Sequence, residues 1–189
     1  GITLNLRTHE GNDTVIGSEG RDAIILGPGT DQADALGGYD IIQYNRFDIF
    51  DGVTVNLQTG TATGDDWDGE SFTHTLSNFE EVRGSAFDDN LTAEGAGEAG
   101  VDEGDGSRLD GRDGDDSLFG GSGRDSLNGG DGDELLDASA GTAESQGFGD
   151  SVNPGTGSNT IIGHQGHWEN GDGIDLWYGD VTGSGGVVV

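Results

Sequence analysis

Cysteine is absent from this 189-residue chain, so no disulfide framework compensates for a thin core. Basic residues are scarce. Seven, every one an arginine, stand against 37 acidic residues, for a formal net charge of -30. So negative a surface repels nucleic acid and anionic membranes, which need Lys and Arg to neutralise their phosphates, and it attracts cations. No run of 18 apolar residues occurs, so nothing in the sequence reads as membrane insertion. The opening residues, GITLNLRTHEG, lack the basic start and apolar stretch of a secretory signal. Only 30% of the chain is hydrophobic, and composition alone would suit a disordered acidic linker.

Glycine is abundant, at 39 residues, and it is periodic. Gly11, Gly20, Gly29 and Gly38 lie nine residues apart, and each is followed two places on by Asp13, Asp22, Asp31 or Asp40. Two places further come Val15, Ile24, Ala33 and Ile42. A second block repeats the pattern: Gly114, Gly123 and Gly132 precede Asp116, Asp125 and Glu134, with Leu118, Leu127 and Leu136 as apolar partners. The register extends back to Asp89 with Leu91 and to Leu109, through weaker units in which Glu98 and Ser107 hold the acid place and Gly100 an apolar one. A shorter run places Asp150 before Val152 and Asn159 before Ile161. Linkers do not keep an apolar register of this kind.

Each unit divides into a six-residue loop and a three-residue strand whose one apolar side chain points inward. Glycine lets the loop turn tightly. Two units make one coil of a flattened spiral, so strands of successive coils pair in parallel and bury a continuous apolar row that no single unit could. The expected fold is therefore all-β. The loops expose backbone carbonyls and one acid each, an all-oxygen donor set of the kind calcium takes. Gathering such acids without a cation is repulsive, so folding and metal binding should be a single event.

The stretch GGSGRDSLN (120–128) matches Gly-Gly-x-Gly-x-Asp-x-U-x, U being apolar, at every fixed position, and GGDGDELLD (129–137) departs only at Glu134. This resembles the hemolysin-type RTX nonapeptide, a calcium-binding repeat. The resemblance implies a parallel β-roll, an RTX nonapeptide solenoid, with calcium ions between loops 18 residues apart. It pairs Asp13 with Asp31, Asp22 with Asp40, Asp116 with Glu134, and Asp125 with Ser107. The positions nominated as calcium-binding are Gly11, Asp13, Gly20, Asp22, Gly29, Asp31, Gly38, Asp40 and Asp89 in the first half of the chain. In the second half they are Gly111, Asp113, Gly114, Asp116, Gly120, Gly121, Ser122, Gly123, Asp125, Gly129, Asp131, Gly132, Glu134, Asp150, Asn159 and Asp175. Several ions, about six, would cancel on the order of twelve charges at two per ion and leave the surface acidic.

Between the blocks, Val53, Val55 and Leu57 alternate with polar residues and read as a strand turned by Gln58–Gly60; Phe72, His74 and Leu76 read as a second. The acidic tip at Asp65, Asp66, Trp67 and Asp68 lacks the EF-hand spacing and reads as a solvated loop. LSNFEEVRGSAFDDNL resembles the lead-in to rolls in large bacterial surface proteins and mannuronan epimerases. The organisation expected is a first roll block over 1–47, a strand insertion over 48–83, a second roll block over 84–139, and a short roll run opening a further insertion over 140–189. GITLNL at the start, GVTVNL from residue 52 and GVVV at the end suggest a larger repeat, as do GYDIIQY (38–44) and GIDLWY (173–178). The chain then reads as a piece of a longer secreted polypeptide, or one whose end, Val187–Val189, pairs with another chain.

His164, His167 and Glu169 do not form the helical two-histidine face of a zinc hydrolase and read as an exposed loop or roll cap. Trp168, Trp177 and Tyr178 read as cap residues. The sequence contains no His-Glu-x-x-His, and no persuasive nucleophile–base pair, so no catalytic site and no enzymatic activity are expected. The expected function is a calcium-binding roll module, secreted or at the cell surface through type I export, with a structural role in an adhesin or surface-layer protein. Its partners would be calcium, and further copies of itself or cell-surface polysaccharide. The alternatives are the accessory roll of a secreted enzyme, either a mannuronan epimerase or a serralysin-like protease, and a carbohydrate-binding module using Trp67 or Trp168.

Overall fold

Strands three to seven residues long, separated by turns, account for nearly all the regular structure. The computed structural model describes residues 2–45, 49–66, 68–94, 106–121, 123–138 and 150–163, with the backbone of Asp175 and Leu176. Among these residues there is no helix. In chain order come β1 (Asn5–Arg7), β2 (Thr14–Ser18), β3 (Ala23–Ile25), β4 (Thr30–Leu36), β5 (Ile41–Gln43), β6 (Thr54–Asn56), β7 (Thr61–Asp65) and β8 (Ser71–Ser77). They are followed by β9 (Glu81–Arg83), β10 (Asn90–Thr92), β11 (Arg108–Asp113), β12 (Ser117–Phe119), β13 (Ser126–Asp131), β14 (Leu135–Ala138), β15 (Ser151–Thr156), β16 (Thr160–Gly163) and the short β17 (Asp175–Leu176).

Outside the insertion the chain crosses between two sheets at every turn. Sheet one, in the order β1-β3-β5-β9-β11-β13-β15-β17, is wholly parallel. Sheet two runs β16-β14-β12-β10-β6-β7-β8-β4-β2 and is parallel except for the β6–β7 and β7–β8 pairs. This is a parallel β-roll. One row of core residues runs along each sheet: Ile24, Ile42, Val82, Leu109, Leu127 and Val152 stack along sheet one. Facing them are Val15, Ala33 and Leu76, then Val55, Leu91, Leu118, Leu136 and Ile161. Every apolar residue assigned from the nine-residue register is buried, apart from the Gly100 unit, which lies outside the described residues.

The coil length is not constant. Asp89 and Asp116 are neighbours across 27 residues, and Asp125 and Asp150 across 25, instead of 18. The strands hold register across these longer coils, because the paired apolar residues carry the burial. Leu91 pairs directly with Leu118 and Val82 with Leu109, and the Glu98 unit lies outside the described residues.

The insertion is built into sheet two. β6 and β8 occupy the two strands expected there, but an unexpected strand, β7, lies between them. Its sequence, TATGD, offers a single buried apolar side chain, Ala62. The roll needs one strand at this point and has three, about 10 Å of added width at roughly 4.8 Å per strand. Large side chains fill the wedge. Phe72 stacks on His74 with ring centroids 4.6 Å apart, and Tyr44 lies 6.0 Å from Phe72 and 5.8 Å from His74. The acidic tip is less solvated than its sequence suggests. Asp66 is buried, and its Oδ1 accepts the N–H groups of Asp68 and Glu70, closing the β7–β8 turn. The GITLNL and GVTVNL segments, alike in sequence, enter different sheets as β1 and β6.

On the outer face of sheet one a chain of side-chain contacts crosses five strands through Gln43, Arg83, Asp110, Asn128 and Asn153. Beside it Glu81 is buried under Arg21, Arg83 and Arg108. Trp67, His164, His167, Trp168, Glu169, Trp177, Tyr178 and Val187–Val189 lie outside the described residues.

Candidate metal centre

The acids of the repeat stand at the turns, where the chain leaves one sheet for the other, and they form a ladder along each edge of the roll. Each carboxylate accepts the backbone N–H of the equivalent residue one coil earlier. On the edge leading into sheet one, Asp22 accepts from Leu4 (2.7 Å), Asp40 from Asp22 (2.6 Å) and Glu80 from Asp40 (2.7 Å). The same edge continues with Asp125 accepting from Ser107 (2.7 Å) and Asp150 from Asp125 (2.8 Å). On the opposite edge Asp31 accepts from Asp13 (2.8 Å). There the ladder resumes with Asp89 accepting from Val53 (2.7 Å), Asp116 from Asp89 (2.8 Å), Glu134 from Asp116 (2.9 Å) and Asn159 from Glu134 (2.8 Å). All four loop pairings implied by the repeat, including Asp125 with Ser107, are neighbours.

One carboxylate oxygen is thereby used. For five acids the other is buried with no hydrogen-bond partner: Asp31 Oδ2, Asp40 Oδ2, Asp116 Oδ2, Asp125 Oδ2 and Glu134 Oε1. A buried charged oxygen left without a partner is expensive, and native folds rarely tolerate it. Burial, the dominant cause, pushes Asp116 up to about 8, Glu134 and Glu80 to about 7, and Asp89 and Asp125 to about 6. Asp31, Asp40 and Asp150 are raised for the same reason. These groups are short of positive charge.

Glycine makes room at the same points. Five residues before Asp22, Asp89, Asp116, Asp125 and Glu134 stand Gly17, Gly84, Gly111, Gly120 and Gly129. A methyl at Gly111 would collide with Asp116 Oδ2 and lie 2.8 Å from the Gly129 carbonyl oxygen of the next coil. At Gly84 it would collide with Asp89 Oδ2 and lie 2.9 Å from the Gly111 oxygen. Leu26 and Ala35 replace this glycine before Asp31 and Asp40. Among the described residues no three His, Cys, Asp or Glu side chains converge, so a thiolate–imidazole zinc set is absent from them. The donors on offer are one acid per turn and several carbonyls, all hard oxygens, and this set fits calcium.

The other nominated positions divide by location. Gly11, Gly29, Gly38, Gly114, Gly123 and Gly132 hold one place in their turns, with φ from +118° to +153°, where a side chain is strained. Gly20 and Gly121 press against the backbone of Ile2 and Glu94. Asp113 and Asp131 are exposed at the ends of β11 and β13, where they pair in register. Ser122 and the side chain of Asp175 lie outside the described residues.

Two features escaped the sequence reading. Glu80 is a rung of the ladder although no Gly-x precedes it; its signal is the spacing of two to buried Val82. A second ladder on the exposed side runs in the opposite sense, each side chain accepting from the following coil. Asp88 accepts from Asp115, Asp115 from Asp133, and Asp133 from Ser158, at 2.7–2.8 Å. The signal there is a doubled acid: Asp88–Asp89, Asp115–Asp116, Asp133–Glu134.

No curated protein matches the sequence. Among solved structures, the extracellular lipase LipA from Serratia marcescens is similar at 20% identity over 85% of this chain and 34% of the lipase. Its TM-score of 0.23 is too low for that likeness to carry an argument, and the chain spans about a third of the lipase's length. Residues 8–42 and 110–142 match the model of the RTX calcium-binding nonapeptide repeat (four copies). These two segments hold Asp13 and the ladder acids Asp22, Asp31, Asp40, Asp116, Asp125 and Glu134, so the turns that carry most of the ladder are RTX calcium-binding nonapeptide repeats.

Proposed function

We propose that this chain is a calcium-loaded β-roll module of a secreted bacterial protein, which folds when it meets calcium outside the cell and then serves as a stiff structural element of an adhesin or surface layer. The observation behind this reading is the set of five buried carboxylate oxygens without partners, each on a ladder acid. Bound calcium would cancel the charge on those of Asp40, Asp116, Asp125 and Glu134 and take up their lone pairs together with nearby carbonyls. Asp40, Asp89, Asp116, Asp125 and Glu134 would supply the carboxylates, and the turn glycines the carbonyls.

The chain's own part is to hold one oxygen of each acid in the ladder, so that the other stays aimed inward, and to keep side chains out of that space. In low calcium the buried acids oppose folding, which suits a protein exported unfolded. Each site whose dissociation constant lies a hundredfold below ambient calcium would add about 2.7 kcal/mol. Several sites together match the whole stability of an ordinary domain.

Equilibrium dialysis of the chelator-treated chain against calcium and magnesium tests the binding. Several calcium ions per chain are expected, with magnesium a poor competitor at equal concentration, because it demands a tighter octahedral shell. Binding of fewer than two ions, or equal competition by magnesium, would overturn the reading.

A further inference from the structure

At one step of the ladder an imidazole stands where other coils offer an acid. Asp13 and Asp31 are equivalent residues of successive coils, and Asp31 pairs in register with His74 of β8. The side chain of His74 is 1% exposed. Its Nε2 lies 3.1 Å from the Gly27 carbonyl oxygen and 3.5 Å from the partnerless Asp31 Oδ2. A carbonyl only accepts, so Nε2 carries the hydrogen; Nδ1 is then free to accept from the Tyr44 hydroxyl, 3.1 Å away. Stacking on Phe72 and Tyr44 fixes the ring plane.

The imidazole therefore presents an N–H to a turn carbonyl and to the second oxygen of the acid. These are the two kinds of oxygen that at Asp116 crowd the place of the missing Gly111 side chain. Leu26 adds to the difference. It is buried, and it stands five residues before Asp31, where the turn of Asp116 has Gly111. A protonated nitrogen directed inward has no lone pair for a cation, and calcium takes oxygen ligands.

We propose that the step between Asp31 and β8 is a metal-free closure, in which the His74 Nε2–H engages the oxygens that elsewhere in the roll would hold a calcium ion. The first block's ladder on this edge then ends in a side chain. It does so where β8 and β7 turn sheet two antiparallel, and where no further coil follows until Asp89.

The inference rests on the calcium reading above, and the test separates the two. Native mass spectrometry of the calcium-saturated full chain is expected to show one more ion in His74→Asp than in the wild type, because the substitution restores an acid at the ladder position. Equal, non-zero counts in two folded proteins would overturn the closure and leave the calcium reading standing, whereas no ion in either would remove both. The wild type alone gives a second readout should His74→Asp not fold. Long-range proton–nitrogen NMR in saturating calcium should show His74 locked as the Nε2–H tautomer with a slowly exchanging ring proton. Tautomer-averaged, fast-exchanging ring signals would mean that the imidazole has been displaced, and would overturn the closure.

Discussion

Replacing Asp116 by Asn and Glu134 by Gln in one chain is expected to change stability in opposite directions with and without calcium. Both amides keep an oxygen to accept the N–H groups of Asp89 and Asp116, so the ladder hydrogen bonds persist. What is lost is the negative charge on two buried, partnerless oxygens. In calcium the double variant should bind about two ions fewer and lose roughly 5 kcal/mol, at about 2.7 kcal/mol for each site held a hundredfold above its dissociation constant. For a chain of this size that is a fall in Tm of roughly 10–20 °C. In chelator the same variant should be more structured than the wild type, because it no longer buries two unpaired charges. Thermal melts in calcium and the far-UV β-sheet signal in chelator check this, and a variant destabilised in calcium yet no more structured than the wild type in chelator would mean the acids act only through packing.

The second large effect is a reversal of pH dependence. Burial holds protons on Asp116 up to about pH 8, on Glu134 and Glu80 to about 7, and on Asp89 and Asp125 to about 6. Unfolded carboxylates release theirs near pH 4. The metal-free fold therefore has its full contribution from these groups below about pH 4 and loses it as pH rises through 6 to 8. Each tenfold difference in proton affinity between the folded and unfolded chain is worth at most about 1.4 kcal/mol per group. Calcium needs the ionised acids, so its contribution grows over the same interval. The far-UV β-sheet signal of metal-free protein should fall as pH rises from 4 to 8, whereas the Tm of calcium-loaded protein should rise with pH from 5 to 8.5. Slopes of the same sign would show that the acids do not exchange protons for metal.

Much of this could be read in the sequence because most of the short strands of so thin a core bury a single apolar side chain. Leu118, Leu127 and Leu136 announce their strands by period alone, and the acid two residues earlier marks each turn. The parts that could not be read have physical causes. β7 offers only Ala62 to the core and is fixed by pairing with β6 and β8, a tertiary effect that TATGD does not signal. The coils from Asp89 to Asp116 and from Asp125 to Asp150 run to 27 and 25 residues while strand register is kept, so a strict nine-residue count fails across them. Glu80 joins the ladder through its spacing to Val82, with no Gly-x ahead of it to mark the turn. His74 reads as an ordinary strand residue until β4 is known to lie beside it.

Far-UV circular dichroism of the chelator-treated chain at neutral pH, followed as calcium is added, tests most directly whether the fold depends on a cation between its coils. A spectrum without β-structure should convert cooperatively to a β-sheet spectrum as several ions bind. A chain already fully β-structured in chelator, and unchanged by calcium, would contradict folding on calcium.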